Sequence, residues 1–231
     1  MNSENQAQII DITEKAEYEK FLYKCLAPMP FRKYKRRQDY LRRVIPLGFR
    51  KKLLIFNGDI VGTIEYAPAE VSGFPISGNK IIVMNCIWVL RRAKGHDFGK
   101  QLMREMIASA KTSTGFATIA LEKHWSGWMK KDQIERLGFK AIASIQLSHK
   151  TKHVGKAFTA YLMWLPKTKR AKPPTWNTEK LLEGIDFCMG YPLYNPMNLN
   201  LKQIFKKTLT PLSNSSPSLA CDGHNLSREI R

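Results

Sequence analysis

Long apolar runs are missing from this chain. Nowhere in its 231 residues do about 18 apolar residues follow one another, so no transmembrane helix is expected. Met1 to Gln8 is polar and carries no apolar signal core. Together these absences make cytoplasmic the expected location. Cysteine is scarce: Cys25, Cys86, Cys188 and Cys221 lie far apart and form no C-x-x-C pair. A structural zinc site, which needs closely paired ligands, is therefore not expected, and no metal is. No G-x-x-x-x-G-K-[ST] occurs, which excludes a P-loop, and strand–helix alternation is too sparse for a doubly wound dinucleotide fold. Acidic residues are in short supply as well. Nineteen Asp and Glu stand against 38 Lys and Arg, a formal net charge of +19.

That excess favours polyanionic company: nucleic acid, anionic lipid, or a phosphorylated cofactor or substrate. It is clustered. Arg32, Lys33, Lys35, Arg36, Arg37, Arg42, Arg43, Arg50, Lys51 and Lys52 fall in one 21-residue stretch, and Lys167, Lys169, Arg170 and Lys172 form a second group. A solvated face is the plainer reading of either cluster. With 43% hydrophobic residues and this length, most of the chain should fold around one core with a smaller annex.

Periodicity outlines the elements. Ala7 to Ile12 reads as a strand, after which Thr13 caps a helix with Tyr18, Phe21, Leu22 and Cys25 at helical spacing, ended by Pro28 and Pro30. Tyr34 to Ile45 reads as a short basic helix. Two strands, Phe49 to Phe56 and Ile60 to Tyr66, are joined by the hairpin dipeptide Asn57-Gly58. After a loop with Gly73, Pro75 and Gly78 come the strand Lys80–Leu90 and the helix Phe98–Lys111, with Phe98, Leu102, Met106 and Ala110 on one face. The strand Phe116–Leu121, a tryptophan-rich loop, the helix Met129–Leu137 closed by Gly138, and the strands Phe139–Leu147 and Phe158–Leu165 complete the series. Residues 166–178 are basic, contain Pro173-Pro174 and read as a linker; 179–209 read as a small packed extension, because Phe187, Tyr191, Leu193, Tyr194 and Phe205 need burial. From Thr210 the composition predicts a disordered tail, 210–231.

The most informative stretch is residues 81–104: a buried strand, a basic glycine-containing turn, then an amphipathic helix. Free backbone N–H groups and the positive dipole end converge at such a helix start, an arrangement that holds a pyrophosphate.

The order of elements, with the turn Lys94-Gly95-His96-Asp97-Phe98-Gly99, the helix end Glu135-Arg136-Leu137-Gly138-Phe139, and the segments Trp88-Val89-Leu90 and Gly127-Trp128-Met129, resembles the GNAT N-acetyltransferase superfamily over residues 7–165. The last of these segments and the tail resemble a branch with a YoaP-type C-terminal region. The resemblance implies an α+β, three-layer fold: a mixed, mostly antiparallel central sheet with helices on both faces, here spanning 1–165 and followed by the C-terminal extension. It implies an N-acetyltransferase that passes the acetyl group of acetyl-CoA to a primary amine by direct attack. Acetyl-CoA would lie where the strands 80–90 and 116–122 splay apart. Backbone groups near Val89 and Leu90 would bond the pantetheine arm, and Lys94, Gly95, His96, Asp97, Phe98, Gly99 and Lys100 would surround the pyrophosphate. A strand N–H would polarise the thioester carbonyl.

Two residues depart from the family pattern. Asp97 stands where a glycine is usual; its carboxylate would repel a pyrophosphate and, as an N-cap, would take the N–H of Gly99 or Lys100. Ile134 stands where many members carry a tyrosine general acid. For the general base, Glu65 and Glu122 are the candidates, with His124 behind them. For each, a surface or strand-end role is the alternative, as it is for His96 in the turn. Cys86 reads as a core residue rather than an acyl-carrying nucleophile, and Trp125 and Trp128 either cap the core or line an acceptor pocket. The basic helix falls where the family's first two helices cover the acceptor, so the acceptor would be anionic or carried on something anionic. Opposed to the enzyme reading is a catalytically degraded module of the same fold, binding nucleic acid or a protein partner through its basic surface.

Overall fold

A computed structural model of the chain describes residues 7–13, 19–22, 26, 35–195 and 201–208. The readings for Tyr18, Cys25, Pro28, Pro30, Arg32, Lys33 and the tail 210–231 lie outside these residues.

Alternating apolar positions produce the main sheet. Its strands are β1 (Ala7–Asp11), β2 (Arg50–Phe56), β3 (Asp59–Pro68), β5 (Ile81–Val89), β6 (Gly115–Glu122), β7 (Lys140–His149), β8 (Ala157–Pro166) and β10 (Phe205–Lys207). They lie in the order β1-β2-β3-β5-β6-β8-β7-β10. Every neighbouring pair is antiparallel except β5 and β6. The hairpin at Asn57-Gly58 forms as its dipeptide predicts, with φ of 51° and 79°.

Adjacent residues on a strand point to opposite faces, and β2 and β3 show which helix covers which. Lys52, paired with Ile64, points its ammonium to Glu105 and Ser109 of α3 (Phe98–Ser109), 2.6 Å from each. Lys51, paired with Glu65, faces the other way, where Arg37 of α2 (Lys35–Val44) meets Glu65. Helices thus cover both faces. Of the shorter helices, α1 spans Glu19–Leu22, α4 spans Lys131–Arg136 beside β6, and α5 spans Thr178–Glu183 beside β10.

The Thr13 hydroxyl accepts the N–H of Lys51 at 3.0 Å and ties the end of β1 to β2; the helix start it was expected to cap lies outside the described residues. Two-residue strands β4 (Ile76–Ser77) and β9 (Thr175–Trp176) pair with each other, so the segment read as a linker carries a strand of its own. Leu181, Leu182, Ile185, Phe187, Tyr191, Leu193 and Phe205 belong to the same hydrophobic cluster as the sheet, all at most 5% exposed. β10 extends the main sheet along β7.

Candidate acyl-donor cleft

β5 and β6 pair only over Ile81–Val83 and Gly115–Ala117, then diverge. β5 bends because it carries an extra residue: Glu65 faces Cys86 but Tyr66 faces Met84, so Asn85 bulges. Its side chain donates to the carbonyl of Ser72 at 2.7 Å, which holds the bulge in place. At the strand end the Leu90 N–H donates to the Val61 carbonyl at 2.8 Å. Alternation along an antiparallel pair then turns the backbone groups of Val89 and Ile87 the other way, into the gap. Of the two residues expected to meet a pantetheine arm, Val89 offers its amide and Leu90 does not.

A 3-10 turn, Arg91–Ala93, leads from β5 to the glycine turn. Gly95 has φ 92°, a conformation that side chains resist. Asp97 is also left-handed, with φ 54° and ψ 22°. Its carboxylate was expected to cap the helix; it makes no cap bond and instead pairs with the Lys100 ammonium at 3.2 Å. The N–H groups of the first turn of α3 are therefore left to an outside acceptor. Packing asks little of Gly99: a Cβ there would meet Leu137 alone, at 3.6 Å. His96 turns away, its ring 4.8 Å from Phe56 and 5.0 Å from Phe98.

The result is a cleft of about 770 Å³. Ile87, Trp88 and Val89 form one wall, Gly127 to Met129 and Ile134 another, and Gly190 closes one side. Among the described residues Arg91, Lys94, Lys100, Lys130 and Arg136 line it, with Asp97 as the one acid. Trp88 and Trp128 stand 5.0 Å apart, and among the described residues neither buried indole N–H has a hydrogen-bond partner.

Neither carboxylate proposed as base lines this cleft. Glu65 is 3% exposed and clamped between Arg37 at 2.6 Å and Lys51 at 2.8 Å. Burial works against its charge, and the two cations override it and hold the pKa below the ordinary carboxylate value. Such a group takes up a proton with difficulty. Glu122 accepts the Tyr161 hydroxyl at 2.9 Å and lies 4.0 Å from the Lys131 ammonium. His124 accepts the Ser126 N–H at Nδ1, 3.0 Å away, and burial lowers its pKa to about 4. Trp125 stacks on His124 and His153, 3.9 Å from each, outside the cleft that Trp128 lines.

Residues 14–124 match the model of the acetyltransferase (GNAT) family. The matched stretch includes β5, the glycine turn and α3, the segments that shape the cleft. It is 35% identical over 78 residues to the uncharacterised N-acetyltransferase YoaP of Bacillus subtilis (strain 168), a stretch amounting to 33% of this chain and 31% of that protein. The match thus spans about a third of that curated relative's length. In fold, the chain is similar to an acetyltransferase structure from Acinetobacter baylyi ADP1 (14% identity, TM-score 0.52, covering 73% of this chain and 97% of that one). It is likewise similar to a GNAT-family structure from Desulfovibrio desulfuricans (13% identity, TM-score 0.50, covering 70% and 99%).

Of the residues expected around the cofactor, Val89, Lys94, Asp97, Gly99 and Lys100 line this cleft, and Leu90, Gly95, His96 and Phe98 do not. Ile87 and Gly190 were missed. Ile87 is one more apolar residue in an apolar strand, and Gly190 comes from a segment with no periodicity.

Proposed function

We propose that the chain transfers the acetyl group of acetyl-CoA to a primary amine by direct attack, without a covalent acyl-enzyme. The observation that carries this reading is the splay of β5 from β6, opening toward an α3 N-terminus whose own N-cap side chain leaves the N–H groups free. A pyrophosphate fits there: basic residues line the mouth, and Gly99 lacks the side chain that would hold a phosphate away. A pantetheine arm brings amide carbonyls, which suit the unpartnered Trp88 and Trp128 indoles and the Val89 amide. Acetyl-CoA would supply the activated acetyl group.

The chain's own contribution is binding and alignment. Among the described residues Asp97 is the one carboxylate lining the cleft, at its mouth; on this reading the amine enters as the free base and its surplus proton passes to water. The rate should then rise with pH along the acceptor's own ionisation, not an enzyme carboxylate's. Thiol release from acetyl-CoA, followed across a panel of primary amines, tests the reading. Gly99→Val should weaken acetyl-CoA binding by roughly tenfold or more, about 1.4 kcal/mol, with the melting temperature nearly unchanged. A folded wild type that releases no thiol with any amine overturns it.

A further inference from the structure

β6 parts from β5 in steps. The last ladder pair is Val83 with Ala117. One residue on, the Thr118 hydroxyl donates to the Met84 carbonyl at 2.7 Å. Beyond that, the gap is filled from the C-terminal region. Leu121 donates its N–H to the Met129 carbonyl, away from β8, so the backbone groups of Ile119, two residues earlier, also face the gap. The Ile119 carbonyl is taken by Tyr191, whose hydroxyl donates to it at 3.0 Å. Tyr191 is 2% exposed, and its ring meets Phe74 edge-on at 5.2 Å. Burial first, and Cys86 second, push its phenol far above the ordinary value, so it stays protonated. The open cleft starts at Ile87 and Gly190, the chain neighbours of Cys86 and Tyr191. Tyr191 is not itself a lining residue; it lies behind the Ile87–Gly190 end of the cleft, on the side where the two strands close.

Its position is fixed from both ends of its loop. Ile185 donates to the Leu193 carbonyl at 2.9 Å, and Asn195 donates back to the Ile185 carbonyl at 2.8 Å. Gly184 has φ 80°, and a Cβ there would lie 2.8 Å from the Leu193 carbonyl. From α2, Arg36 pairs with Asp186 and donates to the Asn195 carbonyl at 2.9 Å. The Arg37 guanidinium lies 4.8 Å over the Phe187 ring.

We infer that Tyr191 sets the depth of the acyl end of the cleft and restricts the transferred group to a short acyl chain. This rests on the acyl-CoA reading above. A thioester arm running along β5 toward the Asn85 bulge meets the phenol. An acetyl group stops short of it. A longer chain must displace a ring held by a hydrogen bond and close packing, and such overpacking is costly.

Calorimetric titration of the full chain with acetyl-, butyryl- and hexanoyl-CoA provides the test, for wild type, Tyr191→Phe, Tyr191→Leu and Tyr191→Ala. Wild type and Tyr191→Phe, which keeps the ring, should both bind hexanoyl-CoA at least roughly tenfold more weakly than acetyl-CoA. Tyr191→Ala should bind the two about equally, and Tyr191→Leu, which preserves apolar packing at shorter reach, should fall between. Wild type binding all three chain lengths equally overturns the inference, whether or not the alanine variant folds. Unchanged discrimination in folded Tyr191→Leu and Tyr191→Ala overturns it too. Wild type that binds none of the three instead overturns the acyl-CoA reading, and this inference falls with it.

Discussion

Asp97 shows how a side chain can replace glycine in a phosphate turn. Aspartate tolerates the left-handed backbone better than most residues, at a cost of about 1 kcal/mol relative to glycine. The sequence predicts that its carboxylate blocks the helix N–H groups; the structure directs it to Lys100 at 3.2 Å, leaving them free. That partner was there to be read, three residues along the helix, but capping and pairing compete for one carboxylate and spacing does not say which wins. Part of the repulsion toward pyrophosphate is neutralised by this exposed pair. Asp97→Gly should therefore strengthen acetyl-CoA binding only two- to fivefold, about 0.5–1 kcal/mol for an exposed charge, as titration calorimetry of the variant would register. The ion pairs of Glu65 were hidden in the sequence for a related reason. A carboxylate near a strand end invites a catalytic role, but its two cations come from elements 14 and 28 residues away in sequence, Lys51 at 2.8 Å and Arg37 at 2.6 Å.

The basic helix α2 is amphipathic in charge as well as in hydropathy. Tyr40, Leu41 and Val44 pack inward together with Arg37, while Arg42 and Arg43 point out. Arg36 and Arg37 thus serve as fasteners: one holds the loop that carries Tyr191, the other joins α2 to Glu65 on β3. Lys167 does comparable work at the far end of α3, donating to the Ala110 and Lys111 carbonyls at 3.2 and 2.7 Å, where the negative helix end favours a cation. So part of the charge expected to face an anionic acceptor is spent inside the protein. Glu65→Gln removes the carboxylate that both Arg37 and Lys51 contact and should lower the unfolding free energy by about 3 kcal/mol, measured by urea denaturation. In wild type, the lowered Glu65 pKa contributes stability that is complete above the ordinary carboxylate range and fades as pH falls below it. At the scale of elements, the long strands and α3 were legible because apolar residues recur at a fixed period. Strands β4, β9 and β10 were not: two or three residues carry no period, and their pairing is settled by partners distant in the chain.

For the molecule as a whole, the main sheet divides the labour. Its diverging strands make the cleft, and the C-terminal region closes the bottom of that cleft and extends the sheet edge. At this edge His149 packs 4.4 Å from Phe205 of β10, and burial, with the nearby His124 adding to it, lowers its pKa to about 4. Folded His124 and His149 stay neutral where the unfolded chain binds protons, so stability is full above about pH 6.5 and declines as pH falls toward 4. Thermal melts across that range should show the loss, and His149→Phe, which removes one titrating group, should flatten it. The family-level fold was legible at the scale of element order, whereas the depth of the cleft depends on Tyr191, a contact formed with Ile119 across 72 residues of sequence. Titration calorimetry of the full chain, stripped of nucleic acid, at moderate salt tests most directly whether this cleft binds acetyl-CoA. One saturable site with a stoichiometry near one, lost in Gly99→Val, is the predicted result; a folded protein that takes up no acetyl-CoA would contradict it.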